Sequence, residues 1–395
     1  MSVDIRVLTA DDAPAAWALS SLAFGHHHER MPTDWGAAVS GRVHWGLFDD
    51  TGRLLAKALD RDQGHWFGGR VVPASGVAGV VVAADVRGGG LSRQLLTRLL
   101  AEVRSRGALI ATLFNTTPWP YRRLGWEEVG ALTRTTVPTM LFDGIAGPAG
   151  ITTRAATVDD LPAVHAIYAE TARASTGMLD RRGPLFTRTP QEQLAEWNGF
   201  TVAVGGGEVL GYSTWDRGSG YDASGRIVVG DLMASTEAAS TALLAMLGRW
   251  ASVAPTILFR HGGIDPVHLL TALVVHGRIE RRQPWMLRLV DATGAIAARG
   301  WSPHLHGAVE LELVDPECPW NAGRFRLELE SGLARLVPGG TGAVRFTARG
   351  LATWYAGAAS PDVLRRAGLL DGPADHDSFL LAATAGPPPT LLDYF

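Results

Sequence analysis

The sequence predicts two tandem copies of one α/β domain followed by a smaller α+β domain. Three observations carry this. A stretch near the N-terminus recurs 148 residues later, and the same offset aligns a second, longer stretch. In each copy an apolar run leads through a short turn into an amphipathic pattern. After residue 284 the texture changes to short alternating runs separated by turn residues.

The repeat is read first because a missed repeat mis-assigns the whole fold. Residues 5–15 read IRVLTADDAPA and residues 153–163 read TRAATVDDLPA. Arg6/Arg154, Thr9/Thr157, Asp11/Asp159, Asp12/Asp160, Pro14/Pro162 and Ala15/Ala163 are identical. Each copy predicts a short strand and then a helix start, with a Thr or Asp cap, acids in the first turn and an early Pro. Residues 80–105 and 228–253 align without a gap, each as strand, turn and helix. In the first helix Leu91, Leu95, Leu99 and Val103 fall on one face, beside Leu96 and Leu100. Leu95, Leu96 and Leu99 pair with Leu243, Leu244 and Leu247. The copies are placed at residues 1–143 and 151–284, joined by the linker GIAGPAG.

Residues 285–395 form the third domain. WMLRLVD, AVELELVD, RFRLELE, LARLVP and AVRFTAR read as strands, and LATWYAGAASPDVLRRAGLL as helix, break, helix. The tail AGPPPTLLDYF would ordinarily fray. Its apolar ending, Leu391, Leu392, Tyr394 and Phe395, predicts that it docks back onto the protein.

Composition narrows the function. Apolar residues make up 46% and charged residues 19%, so the chain builds packed cores. A net charge of −3 gives no electrostatic case for nucleic acid. Lys57 is the only lysine among the basic residues, the rest being arginine. One cysteine, Cys318, excludes an internal disulfide and a cysteine-based zinc site. It stands between prolines with no basic partner nearby in sequence, so it is read as buried rather than nucleophilic. The early acids and short apolar runs argue against a secretory signal, and no run of ~18 apolar residues predicts a membrane span. A cytoplasmic protein with no membrane contact is expected.

The chemistry concentrates in GVVVAADVRGGGLSRQLL of the first copy. An apolar strand passes through Arg87, Gly88, Gly89, Gly90, Leu91 and Ser92 into a helix. Glycines let the backbone approach a ligand, and a helix N-terminus offers open N–H groups and a positive dipole end. A pyrophosphate fits such a site. No Gly-Lys-Ser/Thr follows, which excludes a Walker loop, and G-x-G-x-x-G is absent, which excludes the dinucleotide fingerprint. The second signal is PWPYRRLGWEEVG, where Tyr121 precedes Gly125 and Trp126. The second copy has Ser235 and Ala238 where the ungapped offset puts Arg87 and Gly90, and Leu269 for Tyr121. It is expected to bind no such ligand and to act as scaffold.

The run Arg87-x-x-Gly90-x-Ser92 resembles the Arg/Gln-x-x-Gly-x-Gly/Ala loop of GCN5-related N-acetyltransferases, with Ser92 departing at the last position. Tyr121 to Trp126 resembles the Tyr-x-x-x-Gly-aromatic segment of the same proteins. The resemblance implies acetyl-coenzyme A as co-substrate. Val80, Val81 and Val82 would meet its pantetheine arm, and Arg87, Gly88, Gly90, Leu91 and Ser92 its pyrophosphate. Tyr121 is implied as general acid to the departing thiolate. With reference pKa values near ~10 for Tyr and ~8.5 for a thiol, that transfer is nearly matched.

The domain order resembles the enhanced intracellular survival family of these acetyltransferases, with PWMLRLVD and PWNAGRFRLELESG similar to its sterol-carrier-like domain. In that family the chain-terminal carboxylate, here that of Phe395, enters the first domain's active site and helps remove the amine proton. A terminal carboxyl near ~3.5 and an ammonium near ~10.4 leave a direct transfer uphill by roughly 9 kcal/mol. Burial of the carboxylate, a water relay or orientation of a neutral amine is therefore required. Phe24, Glu29, Trp35 and Tyr394 are the expected acceptor-binding residues, with Asp34 and Asp393 as further cation partners. His26, His27 and His28 stand where aminoglycoside-acetylating members have an acid. Adjacent residues do not share one face, so no metal is expected there. A small amine, aminoglycoside-like or a natural product, is the expected acceptor. Protein lysine acetylation and a non-catalytic lipid- or small-molecule-binding scaffold are the alternatives. The resemblance also implies a hexamer.

Overall fold

The computed structural model describes residues 3–25, 29–32, 35, 39–222, 224–271 and 273–395. The first lobe runs β1 (Asp4–Val7), α1 (Ala13–Phe24), β2 (Arg42–Phe48), β3 (Leu54–Phe67), β4 (Arg70–Val82), α2 (Leu91–Ser105), β5 (Ile110–Phe114), α3 (Trp119–Arg122), β6 (Glu127–Pro138) and α4 (Met140–Asp143). The second runs β7 (Ile151–Ala155), α5 (Leu161–Arg173), α6 (Pro190–Ala195), β8 (Gly199–Gly205), β9 (Glu208–Arg217), β10 (Ile227–Ala234), α7 (Glu237–Gly248), β11 (Thr256–His261), α8 (Pro266–Leu270), α9 (Leu273–His276) and β12 (Arg278–Leu289).

The repeat holds down to individual hydrogen bonds. Arg6 Nη1 and Nη2 donate to Asp12 at 2.6 and 2.8 Å, and Arg154 donates to Asp160 at the same two distances. Each aspartate also accepts from the backbone N–H and hydroxyl of its cap, Thr9 or Thr157. Pro14 and Pro162 follow in the first helical turn, where a missing N–H costs nothing. The shared Arg, Thr and Asp are thus one cap that sets the strand-to-helix corner of each lobe.

Both lobes share a single twelve-stranded sheet, ordered β1-β2-β3-β4-β5-β12-β6-β11-β10-β9-β8-β7. Its centre is an exchange. β12, the last strand of the second lobe, pairs with β5 of the first, and β6 pairs with β11 of the second. β12 and β6 also pair with each other. β12 therefore crosses the expected 284/285 boundary and stays in the sheet through Leu289, so WMLRLVD belongs to this sheet.

α2 covers one face. Leu91, Leu95, Leu96, Leu99, Leu100 and Val103 are all buried there, against Trp45, Leu47, Leu113 and Met286. Each such side chain contributes roughly 1.5–3 kcal/mol of burial. α1 lies on the opposite face.

The third domain comprises α10 (Ala292–Ala298), β13 (Gly307–Val314), β14 (Gly323–Glu330), β15 (Leu333–Pro338), β16 (Val344–Thr347), α11 (Ala348–Tyr355), α12 (Pro361–Arg366), β17 (Leu370–Asp371) and α13 (Asp377–Ala383). Its five strands order as β15-β14-β13-β16-β17. Trp301, Trp354 and Phe346 pack at its centre, and its core is continuous with Trp285 and Leu287 of β12.

Candidate active site

β4 and β5 run parallel but pair only over Ala74–Gly76 with Ile110–Thr112. Beyond that point they part, while β4 continues to Val82 along β3. A bulge marks the start of the divergence: Lys57 faces Val81 and Leu59 faces Ala78, so Gly79 and Val80 of β4 together stand opposite Ala58. Val80, Val81 and Val82 lie beside the resulting gap.

Residues 83–90 lead from β4 to α2. Gly90 caps the helix in the left-handed region (φ 76°), and among the described residues no side-chain cap bonds the first turn. Gly88 is also left-handed (φ 87°), and a Cβ at either glycine would meet open space. No heavy atom therefore stands against the backbone at Gly88 or Gly90, and the dipole end of α2 there would favour an anion. Arg87 is exposed, and its Nε donates to the Val82 carbonyl at 3.1 Å, which ties the loop to the strand end. Arg93, on the first turn, is held instead by Glu317 of the third domain at 2.7 Å.

The second lobe closes the same place. Only residues 235–236 separate β10 from α7, so the ungapped alignment of Arg87 with Ser235 and Gly90 with Ala238 does not survive the loop. The cap is Thr236, whose hydroxyl accepts from the Ala239 N–H at 3.1 Å. A side chain there satisfies the donor that α2 leaves open. The bulge itself persists, with Gly230 and Asp231 together opposite Thr214.

Tyr121 sits on α3, packed edge-on to Trp126 with centroids 6.2 Å apart. Burial pushes its phenol up to about 12, further from a thiol than the sequence alone suggests. Gly125 is left-handed (φ 89°), and a Cβ there would fall inside the Arg288 guanidinium. That contact explains the glycine four residues after the tyrosine. Arg288 is fully buried and donates to both oxygens of Asp315 at 2.8 and 2.9 Å. Glu127 then takes Arg122 Nε at 2.8 Å and Arg349 Nε, from the third domain, at 2.7 Å. The tyrosine-bearing turn is thus braced by β12 and by the third domain.

The C-terminal tail docks on the other face of the sheet. Thr390 N donates to Thr176 O at 2.7 Å, and Leu391 is buried. Phe395 packs against Phe114 with centroids 5.7 Å apart, and Tyr394 against the same ring at 5.0 Å. Asp393 accepts from Arg181 Nη2 at 2.8 Å. Arg181 in turn binds Asp231, the bulge residue of the second lobe. Burial alone would lower the Arg181 pKa, but the two carboxylates hold it well above its ordinary value. The tail is therefore anchored through Arg181 to the β10 bulge of the second lobe.

Of the expected acceptor residues, Trp35 packs on Trp17 at 5.4 Å and lies 5.5 Å from the Lys57 ammonium. Phe24 ends α1 and is half exposed, Glu29 is exposed, and Tyr394 is exposed beside Arg134. His26, His27, His28 and Asp34 lie outside the described residues. Cys318 is buried and its thiol pushed up to about 11 by burial, so it is no nucleophile at neutral pH. Sequence reasoning missed Lys57, Arg61, Arg181 and Arg288. The single lysine was the one available signal.

A sheet splayed beside an open helix N-terminus, repeated in tandem with one copy closed, is the architecture of the acyltransferases called GNAT. Residues 4–129 and 177–289 each match an acetyltransferase (GNAT) domain family, and residues 292–390 match a sterol carrier protein domain. An uncharacterized N-acetyltransferase of Streptomyces coelicolor is 30% identical over 271 residues, 66% of this chain and 65% of that protein, just under two thirds of its length. A GCN5-related N-acetyltransferase from Kribbella flavida is 29% identical, with 100% of this chain and 98% of that one covered at a TM-score of 0.82. Eis1 from Mycobacterium abscessus shares the fold over the full length of both chains, at 22% identity and a TM-score of 0.74. The chain thus carries two GNAT acetyltransferase domains followed by a sterol carrier protein domain, in a fold that Eis1 shares. Among the described residues no helix is long and apolar enough to cross a membrane.

Proposed function

We propose that the first lobe transfers an acetyl group from acetyl-coenzyme A to the amine of a small molecule. The observation that carries this reading is the uncapped N-terminus of α2 beside the gap between β4 and β5. Bound acetyl-coenzyme A would supply an activated acetyl group as its thioester.

The chain's own residues then divide the work. Gly88, Gly90, Leu91 and Ser92 offer backbone donors to the diphosphate, with Arg87 adding charge. The edge of β4 at Val80–Val82 lines the pantetheine arm. Tyr121 packs with the cluster on the α2 side, and Phe395 packs against Phe114 on the opposite side. A thioester in the gap would meet both. The new C–N bond forms as the C–S bond breaks. The amine proton leaves toward the Phe395 carboxylate through water, and the Tyr121 hydroxyl protonates the departing sulfur. The Tyr121 phenol is the weaker acid of that pair, so its main service is a hydrogen bond to the developing thiolate. Fixing the amine against the thioester supplies the larger part of the rate.

Calorimetric titration with coenzyme A, and mass spectrometry of an amine panel after incubation with acetyl-coenzyme A, test this. Coenzyme A binding that is lost on replacing Gly90 by Val, together with an N-acetyl product, is the expected result. Absence of coenzyme A binding refutes it.

A further inference from the structure

The face of the sheet that receives the tail carries a concentration of cations, several of them without an ion-pair partner among the described residues. Arg42 of β2 stands directly opposite Arg61 of β3. At the centre, Arg134 of β6 stands directly opposite Arg260 on one side and Arg281 on the other. Like charges placed opposite each other on neighbouring strands destabilise a sheet, so such rows call for a reason. Lys57 lies two positions along the same face of β3 from Leu59 and four from Arg61. It is 4% exposed, and its ammonium is 3.6 Å from where a Cβ of bulge residue Gly79 would stand.

Partners are lacking. Among the described residues no carboxylate lies within ion-pair distance of Arg42, Lys57, Arg61, Arg134 or Arg281, the chain terminus included. Arg61 Nε is buried without a hydrogen bond, and its guanidinium stands 5.5 Å from the Phe395 ring. Asp393, the acid that bears on Arg61, is already gripped by Arg181. Burial, and then the Arg42 charge, push Arg61 down to about 10, and burial pushes Lys57 down to about 8. Both are cations waiting for an anion.

From this placement we infer that the acceptor is an amine that carries its own anionic group, a carboxylate or a phosphate, received by Arg61 beside the Phe395 ring, with Lys57 as a further cation along the same face. The inference rests on the transferase reading above and names its substrate class. The cations serve twice. They bind the anion, and they disfavour the ammonium form of the nearby amine, which must be neutral to attack. They also repel polycations, so an aminoglycoside is the wrong guest for this face.

The full-length protein tests this with matched amines: phenylalanine against 2-phenylethylamine, and O-phosphoethanolamine against ethanolamine. We expect kcat/KM at least tenfold higher for one or both anionic members. Whichever pair shows it distinguishes carboxylate from phosphate. Arg61→Gln should abolish the preference and leave the KM for acetyl-coenzyme A unchanged, and Arg61→Lys should restore part of it. Equal use of both members, or preference for tobramycin, overturns the inference. Where turnover is undetectable, calorimetry of the coenzyme A complex with N-acetylphenylalanine and N-acetyl-2-phenylethylamine decides. Tighter binding of the anion in wild type but not in Arg61→Gln supports the inference, and no difference or no binding overturns it. Coenzyme A binding, measured separately, tells a failure of the transferase reading from a failure of this one.

Discussion

Arg181 of the second lobe donates to Asp393 of the C-terminal tail at 2.8 Å while its other nitrogen binds Asp231 on β10. Two residues from the end of the chain, the tail is thus fastened to the second lobe, whose β10–α7 connection is only two residues long. Removing Arg181 leaves Asp231 buried without its main counter-charge. We expect Arg181→Met to destabilise the protein by about 3–5 kcal/mol, read from urea denaturation. Asp393→Asn keeps the Arg181–Asp231 pair, so it should change stability far less while lowering kcat at least fivefold. A variant with full kcat would show that the clamp does not place Phe395.

Tyr121→Phe should lower kcat tenfold or more with an unchanged KM for acetyl-coenzyme A. Because burial raises the phenol to about 12, the tyrosine stays protonated through neutral and mildly alkaline pH. Its ionisation should therefore produce no fall in rate below about pH 10. A basic limb near pH 9 that vanishes in Tyr121→Phe would contradict this environment.

Lys57 makes a pH prediction of definite sign. Its pKa falls from 10.5 to about 8 because the buried ammonium is poorly solvated. The folded protein therefore binds fewer protons than the unfolded chain between those two values, and stability rises with pH across that window. Below pH 8 the full penalty applies, on the order of 3 kcal/mol. Lys57→Met should stabilise the protein at pH 7, and its advantage should shrink by pH 10. A constant difference across that range would show that the ammonium is solvated. An anionic ligand on this face should narrow the difference at pH 7.

The two helix starts give a paired test. Thr236→Ala removes the cap of α7 and should cost about 1 kcal/mol of stability while coenzyme A affinity stays the same. Arg87→Ala should do the reverse, weakening coenzyme A binding severalfold with little change in stability, since Arg87 is exposed.

Gly125→Ala should destabilise strongly, by roughly 3 kcal/mol, since the left-handed backbone and the buried Arg288 guanidinium oppose a side chain together. Thermal melting would measure it. A small shift would mean that Arg288 moves easily, which the hold of its Nη2 on both Asp315 oxygens argues against.

Local features were legible in the sequence. The Arg6–Thr9–Asp12 cap and its Arg154–Thr157–Asp160 counterpart involve residues within six positions of each other, so a repeat in sequence is a repeat in structure. The Leu91–Val103 stripe and the docked tail follow from apolar spacing in the same way. What escaped was non-local. Nothing in residues 278–289 announces that their strand leaves its own lobe to flank β5. The arginine rows were invisible for the same reason, because strand partners decide which charges face each other. The glycine turn read clearly in the first lobe, yet its loss in the second was mislocated, since an ungapped comparison cannot register a shortened connection.

The crossed strands at the centre of the sheet bear on how this chain can change over time. Each half lends the other its closing strand, so neither half contains a complete sheet of its own. The second half cannot be deleted, because β12 flanks β5 of the first. Cutting the gene between the halves should yield two insoluble pieces, and mixing them during refolding is the way back to a working protein.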